Sequence, residues 1–198
     1  MFASGVRLEG AGATGLNCDG GTVWLDDSIV YQNGTDGVRL VGGCDATLRN
    51  VMISGHSSPN QNDVEINANG DLLLSYSTVI ASGGGSTPVD VLLCSSGTTT
   101  VRNSILLGLA DDRIDCSGGS IVDSAVDDTD FTSMGDNVNP GSWNGAWFSA
   151  LGDGYLHLTG SAPVVLDNVA SLQDGDLKTD IDGDIRPPLG YVGADEPD

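Results

Sequence analysis

Lysine is almost missing from this 198-residue chain: one Lys and six Arg stand against 25 Asp and 3 Glu, a formal net charge of −21. Such a deficit of cations excludes nucleic-acid binding, because a polyanionic surface repels phosphate backbones. It equally opposes docking on anionic lipid. Long apolar runs are missing too. No stretch approaches the roughly 20 residues of a spanning helix, so no membrane insertion is expected. Aromatic residues make up only 5% of the chain, and Glu and Lys, which favour helices, are scarce. In their place stand Asp, Ser, Asn and 29 Gly, the residues of turns. Val, Ile and Leu recur at regular intervals between them, which argues against disorder. The composition is that of one β-rich, turn-rich domain.

The recurrence is a repeat. Gly5-Val6-Arg7-Leu8 and Gly37-Val38-Arg39-Leu40 are the same four residues. The second returns as Val64-Glu65-Ile66 and as Val91-Leu92-Leu93, each preceded by an Asp (Asp36, Asp63, Asp90) at intervals of 27 residues. A second register aligns Leu25-Asp26-Asp27-Ser28-Ile29-Val30 with segments starting at Leu48, Leu74, Val101 and Ile121, at steps of 23, 26, 27 and 20 residues. The runs alternate apolar and polar, which is the strand period. A leucine-rich horseshoe is excluded, because no helical stretch completes each unit. The expected fold is all-β: a right-handed parallel β-helix of about five coils over residues 1–126, with a non-repeating C-terminal cap over 127–198. Five coils at about 4.8 Å make a rod of roughly 24 Å. An antiparallel sandwich with irregular loops is the alternative.

Cys18, Cys44, Cys94 and Cys116 are separated by 26, 50 and 22 residues, near one, two and one coils. Neighbouring coils bring such positions within disulfide range, so Cys18–Cys44 and Cys94–Cys116 are the natural pairs. A buried ladder of free thiols fits the spacing as well. No two Cys have chelating spacing.

After Val126 the repeat stops. The chain passes through Trp143, Trp147 and Phe148, then Tyr155-Leu156-His157-Leu158 and Ser161-Ala162-Pro163. It closes on Thr179-Asp180-Ile181-Asp182-Gly183-Asp184-Ile185-Arg186-Pro187 and Gly193-Ala194-Asp195-Glu196. This ending resembles that of secreted bacterial β-helix repeat proteins of the choice-of-anchor Q type. It departs at the insertion in Ser161-Ala162-Pro163 and at Asn168. The resemblance covers about 60 residues; it implies an extracellular or cell-surface β-helix and carries no catalytic set. In physical terms the ending is expected to cover the open end of the solenoid with Trp143, Trp147, Phe148, Tyr155 and Leu158. Arg186 is expected to lock its turn as a hydrogen-bond hub. The first coil begins almost at Met1 with no leader-like stretch, so upstream coils of a longer secreted protein are an expected partner.

Several residues carry candidate chemistry. Asp180, Asp182 and Asp184 are an oxygen-rich set of the kind that suits Ca²⁺, although the spacing is not that of an EF-hand. An Asx-rich turn explains them equally. Asp111, Asp112 and Arg113, with His56, resemble elements of the polygalacturonase group, and paired carboxyls serve glycoside hydrolysis. In that group, however, the His follows the Asp pair. A polyuronate lyase would need a base and cations, and Arg39 with Arg113 could supply them. Arg49 and Arg102 share a repeat position that reads as a ladder facing Asp26, while Asn50 and Asn103 share a turn. Trp24, Trp143 and Trp147 could stack on sugar rings of a polysaccharide or fill the core. The expected function is therefore a non-catalytic, structural or adhesive extracellular domain, with polysaccharide as its candidate ligand. The alternative is the C-terminal part of a polysaccharide lyase or glycoside hydrolase.

Overall fold

Apolar side chains two residues apart, repeated once per coil, are buried together only if each coil stacks on the last in register. The computed structural model describes residues 1–56, 64–81, 90–108, 114–128, 130–132, 135–141, 144–195 and 197. It is an all-β chain, 48% strand and 5% helix, wound as a parallel β-solenoid of about five turns.

The larger sheet has two arms. The first contains β1 (Phe2–Ser4), the first half of β4 (Thr22–Tyr31), the first half of β6 (Asp45–Ser54), β8 (Leu72–Ser75), β11 (Thr99–Arg102) and β14 (Ser120–Val122). The second contains β2 (Arg7–Glu9), the remaining halves of β4 and β6, β9 (Thr78–Ala81), β12 (Ile105–Gly108) and β15 (Ala125–Val126). The second sheet runs β13 (Ile114–Cys116), β10 (Asp90–Ser96), β7 (Val64–Asn69), β5 (Val38–Val41), β3 (Leu16–Asp19). Two small antiparallel pairs follow: β16 (Phe148–Ser149) with β17 (His157–Leu158), and β18 (Ala170–Ser171) with β19 (Leu189–Gly190).

In the first arm Leu25, Leu48, Leu74, Val101 and Ile121 lie directly over one another, the register read from the sequence. In the second arm Val30, Ile53, Val79, Leu106 and Val126 do the same. All are buried, and each large aliphatic side chain contributes about 1.5–3 kcal/mol on leaving water.

The other sequence register needs correction. The first Gly-Val-Arg-Leu pairs Arg7 with Ile29 in the larger sheet, whereas the second pairs Val38 with Leu16 and Ile66 in the smaller one. The two glycines differ in cause. Gly5 has φ 65°, while a Cβ on Gly37 would meet the Glu65 carbonyl oxygen at 2.6 Å. Val64 pairs with Asp90 rather than Val91, because a one-residue slip would turn the inward side chains outward.

The three corners differ. Between the arms the turn takes at most two residues, and from the second sheet back to the first arm it takes two or three. From the second arm to the second sheet residues 10–15 and 32–37 make the turn, and in the later coils nine, eight and five residues separate the same strands.

The C-terminal segment also departs from expectation. Phe131 joins the interior cluster beside Ile114, Ile121 and Val126 at the last coil. Trp147, Phe148, Leu156, Leu158, Leu166, Val192 and Ala194 instead form a second core with Met52, Ile80, Ile105 and Leu107. Those four belong to the second arm, so this part of the chain covers a flank of the rod rather than its end. Alternation explains the difference: the second arm is apolar on both faces and needs a cover on the outside.

Candidate functional site

The corner between the arms is a column of left-handed residues: Gly5, Asp27, Asn50, Tyr76, Asn103 and Asp123, with φ between 47° and 65°. Gly, Asn and Asp tolerate this conformation best. The next residue inward is usually Ser, and its hydroxyl serves two coils. Ser104 Oγ donates to the Arg102 carbonyl at 2.8 Å and accepts from the Ser77 N–H at 3.2 Å. Ser77 does the same for Val51, and Ser124 for Ser104.

Side chains on the outside of this column hold the C-terminal segment. Asn50 Nδ2 donates to Asp27 Oδ1 at 2.9 Å and to the Thr179 carbonyl at 2.7 Å. Asn103 exchanges two hydrogen bonds with Ser171, each 3.0 Å. Arg186, buried, donates to Asn50 Oδ1 and to the carbonyls of Gly193 and Ala194, with its guanidinium 4.2 Å from the Tyr76 ring centre. It is a hub, as expected, but these partners are carbonyls and an amide. Arg49 pairs with Asp26 at 2.5 Å as the ladder reading requires, whereas Arg102 turns to Asp176.

The Asp-rich turn divides its carboxylates. Asp180 is buried, and its Oδ1 accepts from the N–H groups of Asp182 and Asp184 at 3.1 and 2.9 Å. That is an Asx turn closed by Gly183 at φ 93°. Asp182 points away, to His157 Nδ1 at 2.9 Å, and Asp184 is exposed. The three carboxylates expected to share one ion are thus not gathered; Asp182 instead meets His157 and Asp195. Those two residues stand in the Tyr-Leu-His-Leu and Gly-Ala-Asp-Glu stretches. Their separations from Asp182, 25 and 13 residues in a non-repeating stretch, carry no register that would join them.

The His157, Asp182 and Asp195 donor atoms all lie within 4.8 Å of one another. They stand at a cleft of about 460 Å³ lined by Ser149, His157, Leu158, Thr159, Gly160 and Asp182. Asp195 lies deepest; its Oδ2 accepts from the Leu158 N–H at 3.0 Å and sits 3.5 Å from His157 Nδ1. Asp182 is nearer the imidazole, yet the buried Asp195 charge is less screened. Hydrogen bonding to Asp195, aided by the Asp195 and Asp182 charges, holds His157 above the ordinary imidazole value, while burial works the other way. Burial raises the Asp182 carboxyl, His157 lowers it, and the Asp195 and Asp180 charges raise it further.

The first arm keeps an open outer face. Phe2, Trp24, Thr47, Leu73 and Thr100 stand in one row across successive coils. Trp24 is 45% exposed, its ring leaning on the Arg49 guanidinium at 5.6 Å. Beside the row runs an open groove of about 390 Å³ lined by Thr22, Asp45, Thr47, Asp71, Leu73 and Thr98 among others.

The remaining candidates fall elsewhere. Trp147 is buried in the flank cover and offers no exposed platform. Asp111, Asp112, Arg113 and Trp143 lie outside the described residues. His56 is fully buried, with Nδ1 on Glu65 and Nε2 3.2 Å from Asn33 Nδ2. Its side chain, like that of Glu65, is closed off from solvent. Arg39 is exposed and 3.9 Å from Asp36. Cys18 is bonded to Cys44 and Cys94 to Cys116, with Cα separations of 6.0 and 4.6 Å.

Compared with known proteins, the chain matches no family model, no curated protein and no solved structure.

Proposed function

We propose that this chain is a secreted or cell-surface β-solenoid domain of structural or adhesive role that binds polysaccharide on the open face of the first arm. The observation that carries the reading is the outward row from exposed Phe2 and Trp24 through half-buried Thr47, Leu73 and Thr100, beside a groove bearing Thr hydroxyls and the Asp45 and Asp71 carboxylates. An indole face takes the apolar side of a sugar ring, and hydroxyls and carboxylates pair with its hydroxyls. Stacked strands offer these groups at a fixed spacing of about 4.8 Å, suited to a linear polymer. The net charge of −21 repels polyuronates, so the ligand is a neutral polysaccharide. Two disulfides support an oxidising, extracellular setting. The C-terminal likeness to choice-of-anchor Q proteins supports the same setting.

Affinity electrophoresis through gels containing neutral glucans, mannans or xylans tests the reading. Retardation by at least one polymer is expected. Trp24→Ala should weaken it about tenfold or more, whereas Ile185→Ala, a change at an exposed residue of the C-terminal segment, should not. No retardation by any polymer, or equal retardation of both variants, overturns it. The enzymatic alternative is read in the same panel by release of reducing ends or unsaturated products.

A further inference from the structure

We propose that His157, Asp182 and Asp195 form a binding site for a divalent transition-metal ion of the zinc class, open to the cleft beside β17. The separations of the donor atoms point to an ion. His157 Nδ1 lies 2.9 Å from Asp182 Oδ2 and 3.5 Å from Asp195 Oδ2. Two donors held about 2.1 Å from one ion, at tetrahedral to octahedral angles, stand roughly 3.0–3.4 Å apart. Small side-chain adjustments therefore convert the hydrogen-bonded cluster into a coordination set.

Two of the three groups are held in place. Asp195 is only 5% exposed in its side chain, and the Leu158 N–H fixes the oxygen that faces the cluster. Hydrogen bonds to a ligating carboxylate are the supporting contacts a metal site requires. His157 lies in the β16–β17 ladder opposite Ser149, and its ring stacks on Tyr155 at 5.6 Å and 18°. The Arg7 guanidinium covers Tyr155 in turn, 5.0 Å from the ring centre. Asp182, half exposed, closes the set from the solvent side. Two carboxylates pressed together repel each other, and a dication relieves that repulsion while leaving coordination positions toward the cleft.

The donor set selects the ion. Imidazole nitrogen suits Zn²⁺ and its neighbours, whereas Ca²⁺ seeks six to eight oxygens. Two carboxylates supply too few oxygens for calcium, and the imidazole nitrogen is a poor ligand for so hard a cation. Metal binding here is independent of the polysaccharide reading, and each can fail alone.

Calorimetric titration with ZnCl₂ in a large excess of Ca²⁺, which occupies the general acidic surface, tests the site. One Zn²⁺ per chain is expected, with a rise in Tm and a shift of the His157 imidazole NMR signals. Asp182→Asn should weaken binding at least tenfold and abolish the Tm rise. Asp184→Asn removes the same charge from an exposed neighbour and should change neither. His157→Gln should behave as Asp182→Asn, with circular dichroism confirming the fold. No zinc binding over calcium, or equal loss in Asp182→Asn and Asp184→Asn, overturns the proposal.

Discussion

At the residue scale, the corner between the two arms shows how a tight bend is held without a loop. Each left-handed residue reverses the pleat, and where serine follows, at Ser28, Ser77, Ser104 and Ser124, its hydroxyl answers for backbone groups on two coils. Removing one hydroxyl therefore affects more than its own residue. Ser104→Ala leaves the buried Ser77 N–H without its acceptor and removes the bond to the Arg102 carbonyl. A loss of about 1–3 kcal/mol is expected in urea unfolding; unchanged stability would mean that the ladder is incidental. Part of this column was legible in the sequence. Asp27, Asn50 and Asn103 align there, and these residue types announce positive φ. Tyr76 does not announce it: a bulky residue at φ 47° reveals itself only through its ring under Arg186.

At the element scale, stacking along the rod was legible because identical registers recur, and the flank cover was not. Leu156, Leu166 and Val192 follow no period, so the sequence shows that they are apolar but not what they meet. The same limit explains why Asp182, His157 and Asp195 went unconnected. Short identical stretches also mislead, since Arg7 and Arg39 share neighbours in sequence and lie on different sheets. The cover is pinned by a few polar contacts at the corner column, and these can be separated from packing. Asn50→Gly keeps the left-handed backbone available but removes the amide that binds Asp27, Thr179 and Arg186. Limited proteolysis should then cut within residues 170–195 at least several-fold faster than in the parent chain. An unchanged cutting rate there would assign the attachment to the apolar core alone.

At the scale of the whole molecule, the two disulfides fall where a solenoid would fray. In the second sheet β3 and β13 are the outermost strands, and each carries one cysteine of a pair. The sequence spacing suggested both pairs while leaving free thiols open; what it could not convey was their position at opposite ends. The closed loops span 26 and 22 residues, for which chain-entropy reasoning gives about 3 kcal/mol each. Replacing Cys18 and Cys44 together by Ser should lower the urea midpoint accordingly, and identical midpoints would show that the end strands need no staple.

The unequal corners carry a consequence for engineering. The corner between the arms holds a fixed length, since an added residue there would turn inward side chains outward, and the corner from the second sheet varies only between two and three residues. The third already accepts from five to nine residues without altering the register of the strands on either side. Foreign peptides grafted at that corner would leave the stacked rows untouched. Placed on adjacent coils, they would be displayed about 4.8 Å apart along one edge, which makes this chain a scaffold with a graduated margin.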